Sequence, residues 1–572
     1  MLKFCRALLW VATTLIAFPV VMPAELPGLK VEKLEFKPGS KTHMTWNTSA
    51  AARYYGLYRG RILPEGEFFR RYNHRCLATE LGRSWGEDPD LPEPGSAFYY
   101  LASGLRPGGT PSDMDWGPLG TNTVVRPEGH LPCGRRIFVD PAATGTGDGS
   151  SWANAYNNLS SAVAHPSPAG RSLEMWLTGK SYEYVTSSRG QLVFYGGFQG
   201  NESYAWKRSP QTQPFLWKAA PSAPSDLFSN GPLGQCENFY YLFDGIEFAG
   251  GKRGIRILLS GQRVEILRSI FRDQKENAVY LQTPSDYMCG IETFVDQSKI
   301  YGSSAPKVFG FHIEGGDHGD LRIHRSLLKG NESWLLDVTI TDGLFNGKAR
   351  VELVGNEIVG GDPGMSLLAR CWNSKDSTID LALASNLLHD TAGNGIEMTA
   401  EGGSGNARIR GLIAGNTISN IAHSGVSCSL SASGGTAACT PELDSNILSF
   451  CNDFAIQEPN DAAAGLSGDQ KLVGNDLFEN GIMILDEGST KLNTIAQVNA
   501  LSGNWGNINE DPLYVNVGAG DYHLQPGSPL IDSCVIPLPV WVLIDSDHKC
   551  RVQEGDGIAP IKCDLGADEF EP

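Results

Sequence analysis

Apolar and polar positions in the second half of this chain repeat with a fixed period. Asn356, Asn386, Asn416, Asn446 and Asn475 are spaced 30, 30, 30 and 29 residues apart, and the frame runs back to Ser326, Ser298 and Ser269, giving eight marked turns. Three residues before each marker stands an apolar residue: Ile266, Val295, Ile323, Leu353, Leu383, Ile413, Leu443 and Leu472. Two residues after it stands another: Phe271, Ile300, Leu328, Ile358, Leu388, Ile418, Leu448 and Leu477. Sixteen apolar residues at sixteen positions, in a chain that is 41% hydrophobic, is not chance. A period of about 30 residues with three short strands predicts a parallel β-helix, each coil stacking on the next at about 4.8 Å. The several-leucine consensus of leucine-rich repeats is absent, and Gly and Asn at the corners exclude helical repeats. Each marker Asn is expected at a sharp corner, in the left-handed conformation, with its amide bonded to its copy in the next coil.

Ahead of the repeat, aromatic-rich runs at 43–46, 54–58 and 98–102 are separated by Pro, Gly and Asp clusters. Alternation in the last run puts Phe98, Tyr100 and Ala102 on one face, which predicts a small β-sandwich whose aromatics mostly fill its core. Residues 136–140 read as a strand and 144–150 as a Gly/Asp turn, taken as plain turn chemistry over calcium or phosphate binding. Trp152, Tyr156, Leu159 and Val163 then share one face of a helix that Ser150 or Ser151 can cap. Such a helix would cover the open apolar end of a stacked β array. The expected organisation is a signal peptide at 1–24, a sandwich at 25–134, a β-helix with its capping helix at 135–510, and a C-terminal segment at 511–572.

Composition narrows the class. With 67 Gly and 33 Pro but no Gly-X-Y period, the chain is neither collagen nor a coiled coil, and its apolar content is too high for disorder. The 64 Asp and Glu against 46 Lys and Arg argue against nucleic acid and are unfavourable for a polyanionic glycan. Lys3 and Arg6 followed by an apolar stretch over 7–21 read as a signal peptide, because a spanning helix needs about 20 apolar residues. No other run approaches that length, so no transmembrane segment is expected once the signal is removed. Twelve cysteines fit an oxidising compartment, and loss of Cys5 leaves an odd eleven. Cys76 with Cys133, Cys428 with Cys439, and Cys534 with Cys550 or Cys563 are the expected neighbours. No CxxC pair or His cluster has zinc spacing, so neither metal nor other cofactor is expected.

The segments RIFVDPAATGTGDGSSWANAYNNLSSAV, VFYGGFQGNES at 193–203, DPLYVNVGAGDYHLQPGSPLID at 511–532 and DLGADEF at 564–570 resemble the secreted choice-of-anchor Q group. The resemblance covers roughly 135–572 and implies a right-handed β-helix of the pectin-lyase type, export and surface association, with no assigned reaction. No apolar or basic sorting tail precedes Pro572, so anchoring is expected to be non-covalent or absent. The segments TW, YYGLYRG and PGSAFYYLASGL likewise resemble fibronectin type III-like modules, which implies a spacer or adaptor. The expected fold is all-β: a right-handed parallel β-helix preceded by a small fibronectin type III-like sandwich.

β-Helices of this type place clefts over one strand row. Aligning that row on inward Val279, Ile313, Leu335, Met365, Ile396, Val426, Ile456 and Ile482 brings Tyr280, His312, Glu314 and Trp334 together on three adjacent coils. Asp317 follows in the next turn. Later coils show a flat strip of Gly, Ala, Ser and Gln. Glu314 and His312 are the candidate proton-transfer pair, and Tyr280, Trp334 and Asp317 the candidate sugar contacts, since rings stack on apolar sugar faces. The plain alternative is an exposed strand row of mixed residues. His389, Asp390, His423 and Asp453 form a second polar group at corners. Uronate lyases need a Lys or Arg base, and this row has neither; polygalacturonase-like hydrolases need an Asp pair and a Gly-His-Gly turn, also missing. Glu314 and Glu397 lie too far apart for an inverting pair, which leaves Glu314 with Asp317. The first expectation is therefore an exported or cell-surface monomer, non-catalytic or weakly catalytic, that contacts polysaccharide or surface glycan. The alternatives are a polysaccharide-degrading enzyme centred on Glu314, and an adhesion spacer with no site.

Overall fold

A computed structural model describes residues 31–570 except 38–40, 47–53, 63–74, 82–84, 89–96, 106–133, 167–171, 221–224, 231–238, 259–260, 284–289, 303–306, 315–317, 331–333, 343–345, 459–462, 464, 469, 487–488, 536–543, 550 and 552–561. The leader expected at 1–24, the Cys76–Cys133 pairing, Cys550 and Asp317 lie outside the described residues. The protein is all-β; its described α-helices are the short Leu159–Val163 and Ile495–Val498. It divides into two compact units, Met1–Glu183 with Arg189–Trp217 and Asn238–Ile246, and Tyr184–Ser188 with Lys218–Glu237 and Glu247–Pro572.

In the first unit, strands Val31–Lys37, Lys41–Trp46 and Trp85–Asp88 form one antiparallel sheet, and Arg75–Leu81, Tyr54–Ile62 and Ala97–Leu105 another. Met44, Trp46, Leu57 and Ala102 fill their shared core together with Trp206. Asp88 is fully buried, which is tolerated because Arg59 donates to both its oxygens at 3.0 and 2.9 Å and Tyr100 adds a third bond at 2.9 Å. Four parallel strands, Arg135–Val139, Leu173–Thr178, Leu192–Phe198 and Phe239–Asp244, follow in the same unit. The predicted helix over 152–163 is much shorter than its apolar face suggested. Asn158, whose side chain takes the Ser161 amide at 2.7 Å, starts it instead of Ser150 or Ser151. Trp152 still reaches the apolar surface, lying 4.8 Å from the Phe138 ring and 5.5 Å from Phe198. The Asp148 carboxylate is taken by the Thr146 hydroxyl and the Ser150 amide, each at 2.9 Å, which is turn chemistry.

The second unit is a parallel β-solenoid whose coils contribute one strand to each of three sheets. All sixteen apolar positions flanking the markers are at most 2% exposed, and they form its core. The marker amides do form a ladder. Nδ2 of Asn356, Asn386, Asn416 and Asn446 donates to Oδ1 of the next marker at 2.9 Å in each case. Each Oδ1 also accepts the preceding marker's backbone amide, as Asn416 does from Asn386 at 2.9 Å. The ladder runs one step beyond the predicted frame, from Asn475 to Asn507 at 3.0 Å. The left-handed residue, however, is the one before the marker: Arg268, Gln297, Arg325, Gly355, Ser385, Gly415, Ser445 and Gly474 all have φ between 47° and 63°. The Asn side chain secures a corner that its neighbour turns.

The described residues of 511–570 pack back on this unit. Tyr514, Tyr522, Leu524, Leu530 and Leu565 build a small core with Ile447. Gly566 adopts φ +86°, and a Cβ there would stand 2.5 Å from Ile447 Cδ1. Disulfides join Cys428 to Cys439 and Cys534 to Cys563; Cys371 and Cys451 are free and buried.

Candidate functional site

The candidate row lies on the twelve-stranded sheet, where alternate side chains of each strand face outward. Val279 pairs with Phe309, then Leu336, Met365, Ile396 and Val426. Three coils thus depart from the expected alignment. Ile313 sits four residues further along, level with Thr283 and Ile340, Leu335 one residue short, and Ile482 two residues short, level with Phe454. Phe309, Phe311 and Ile313 all point inward, so a shift of two or four residues leaves the hydrophobic pattern intact. Leu335 and Leu336 are both buried, which hides the one-residue error.

The true register places Tyr280 level with Gly310 and Asp337, His312 level with Gln282 and Thr339, and Glu314 level with Thr341 and Arg370. Trp334 pairs with Lys307 at the far end of its strand, about 23 Å from the level of Glu314. Tyr280, His312 and Glu314 therefore share one patch; Trp334 does not join it. The rings of Tyr280 and His312 are 5.2 Å apart, with Gly310 between them. A Cβ on Gly310 would come within 3.0 Å of the Tyr280 ring. Tyr280 Oη donates to Gln282 Oε1 at 2.9 Å, and Gln282 Nε2 donates to Glu314 Oε1 at 2.7 Å. His312 Nε2 meets Asp337 Oδ2 at 3.0 Å, and the Thr339 hydroxyl holds Oδ1 at 3.2 Å. Arg253 lies over Tyr280 at 5.2 Å, anchored by Asp226 at 3.3 Å and by Glu276. Burial raises the Tyr280 phenol above its usual range, and the Glu314 charge adds to that.

Sequence reasoning missed Gln282, Asp337 and Trp372. Extending the alternation of Met365–Cys371 by one residue would have found Trp372 next to outward Arg370. It is 66% exposed, with the Arg370 guanidinium 5.1 Å from its ring. Asp337 was lost with the register. Two further expectations are corrected. The row does hold arginine, because Arg256 is level with Tyr280 and Arg370 with Thr341; Arg370 is paired with Glu401. Gly364, Gly395 and Gly425 are not an open strip: a Cβ on Gly395 would stand 2.6 Å from the Gly425 carbonyl oxygen. The outward residues there are Ser366, Glu397, Ser427 and Gln457. In the corner group, His423 and Asp453 are exposed and paired at 2.8 Å, whereas His389 is buried against Tyr522.

Chemically, the patch offers one buried carboxylate–imidazole pair and one carboxylate tied by an amide. Asp337 is four residues from the level of Glu314, about 13 Å along the strands, against about 6.5–9.5 Å for an inverting carboxyl pair. No protein-family model matches the chain, and no curated protein matches it. What the patch does is therefore read from its own residues.

Proposed function

We propose that the protein is an exported, right-handed β-helix of the pectin-lyase type that binds glycan chains along this outward strip and does no chemistry on them. One contrast carries the reading: the acid–base groups are already engaged, Glu314 by Gln282 and His312 by Asp337, while Trp372 stands open. An open indole beside polar side chains suits the apolar face of a sugar ring. The strand order of the two N-terminal sheets suits a fibronectin type III-like spacer. The motifs at 511–532 and 564–570 support kinship with the choice-of-anchor Q group, and the two disulfides among the described residues suit an oxidising compartment.

Affinity electrophoresis or a glycan array tests this. Trp372→Ala is expected to lose about 1–2 kcal/mol of affinity through lost stacking, and Glu314→Gln to lose little. Retention of every glycan by Trp372→Ala, at wild-type strength, would remove the site and leave the spacer reading.

A second reading, a polysaccharide-degrading enzyme, is favoured by one observation: Asp337 is 1% exposed and holds the His312 ring in a fixed orientation. It requires release of reducing ends or of unsaturated, ultraviolet-absorbing products. On this reading Asp337→Asn is expected to abolish that release, and turnover surviving the substitution would rule the pair out as its base.

A further inference from the structure

The C-terminal segment brings together three side chains that are far apart in sequence and outside the strip. His523 on strand Asp521–Leu524, Asp547 and Asp568 place Nε2 and two carboxylate oxygens all within 4.8 Å of one another. Nε2 is 3.4 Å from Asp547 Oδ2 and 3.9 Å from Asp568 Oδ1. A tetrahedral zinc ion with bonds of about 2.0–2.1 Å sets its ligands about 3.3 Å apart, so side-chain shifts of up to about 1.5 Å would form the site. The other ring nitrogen, Nδ1, meets Asp521 Oδ1 at 2.6 Å, the carboxylate–histidine arrangement that orients a metal-binding imidazole.

An independent feature points the same way. Asp545, two residues before Asp547, is fully buried. Its Oδ1 takes the Lys549 amide at 2.8 Å, and its Oδ2 has no hydrogen-bond partner among the described residues. A buried, unpaired carboxylate oxygen is costly unless something positive faces it. Lys549 pairs with Asp547 at 3.1 Å, and Arg551 is buried nearby, but Asp521, Asp545, Asp547 and Asp568 outnumber them.

We propose that His523, Asp547 and Asp568 bind a divalent transition cation of the Zn2+ class, with Asp521 as the outer partner of His523 and a fourth position open to water. The imidazole disfavours Ca2+ and Mg2+, which take oxygen ligands. Such a cation would clip the Asp521–Leu524 strand to the two segments that carry the aspartates. Sequence spacing gave no hint, because its ligands come from three separate stretches.

The test is calorimetric titration of the chelator-treated full chain with Zn2+, Ca2+ and Mg2+, alongside melting curves. Wild type is expected to bind one Zn2+ per chain at this site and to melt higher with Zn2+. His523→Ala and the shape-preserving Asp568→Asn are each expected to weaken binding at least about tenfold and to abolish the rise, whereas His423→Ala keeps both. Zn2+ affinity unchanged in both His523→Ala and Asp568→Asn would overturn the proposal, as would Ca2+ or Mg2+ binding in preference to Zn2+. If His523→Ala does not fold, Asp568→Asn alone decides.

Discussion

Asn416→Val is expected to cost the folded state about 3–5 kcal/mol, a large effect for one side chain. Asn416 is 2% exposed and spends every bonding capacity of its amide inside the solenoid. Its Oδ1 accepts from Asn386 N and Nδ2, both at 2.9 Å, and its Nδ2 donates to Leu383 O at 3.0 Å and Asn446 Oδ1 at 2.9 Å. Valine removes four bonds and strands the Asn386 backbone amide, while Asn386 Nδ2 keeps Leu353 O and Asn446 Oδ1 keeps the Asn416 backbone amide. Each lost bond is worth about 0.5–1.5 kcal/mol and the stranded amide adds about 1–3 kcal/mol, with partial relaxation reducing the sum. Ser429→Ala, at an exposed strand position, is the control and is expected within about 0.5 kcal/mol of wild type. Equal denaturation midpoints for the two variants would remove the ladder from the list of what stabilises the coils.

Asp476→Asn is expected to stabilise the protein, by an amount that grows with pH. Asp476 is fully buried beside the ladder; its Oδ1 takes the Glu510 amide at 2.9 Å, and its Oδ2 has no partner among the described residues. Burial pushes its carboxyl up to about 8, with the charges of Glu510 and Asp511 adding to the rise. An unfolded Asp titrates near about 3.9. Between those values the folded chain holds a proton that the unfolded chain releases, so this group's contribution is full below about pH 4 and is lost as pH rises towards 8. Asparagine copies the neutral acid and does not titrate. The variant is expected to exceed wild type by about 2–4 kcal/mol at pH 8 and to match it near pH 4. A difference between the two that does not change with pH would show that Asp476 is ionised in the fold.

Sequence reading succeeded where one residue has one consequence. A marker every 30 residues and two apolar neighbours located the coils, because each apolar position is wholly inside and each Asn marker bonds to its copy in the next coil. It went wrong where the pattern is degenerate. Phe309, Phe311 and Ile313 are interchangeable as inward residues, so hydrophobicity could not choose the register, and Trp334 was drawn into a patch it does not enter. Tyr280, His312 and Glu314 came together nonetheless, because the four-residue error preserved the face on which they stand. Asp337 was invisible because its importance lies in a partner from the neighbouring coil. The corner conformation was assigned to Asn356 and its copies when Gly355 and its counterparts carry it. A hydrogen-bonding side chain and a strained backbone had been read as one residue's work.

The amide ladder also bears on how such a protein changes length. Asn386 meets in Asn416 what Asn416 meets in Asn446, so the coils marked by Asn356 to Asn446 each offer their successor the same docking face. A duplication of one whole period would insert a copy without asking either neighbour to adapt, whereas gaining one residue within a strand would turn its side chains inside out. The spacing of 29 before Asn475 and 32 before Asn507 shows where odd residues are accommodated: between the strands, with the ladder unbroken. Heredity can therefore lengthen or shorten this molecule in steps of one coil, about 4.8 Å at a time, and edit its outward strip coil by coil.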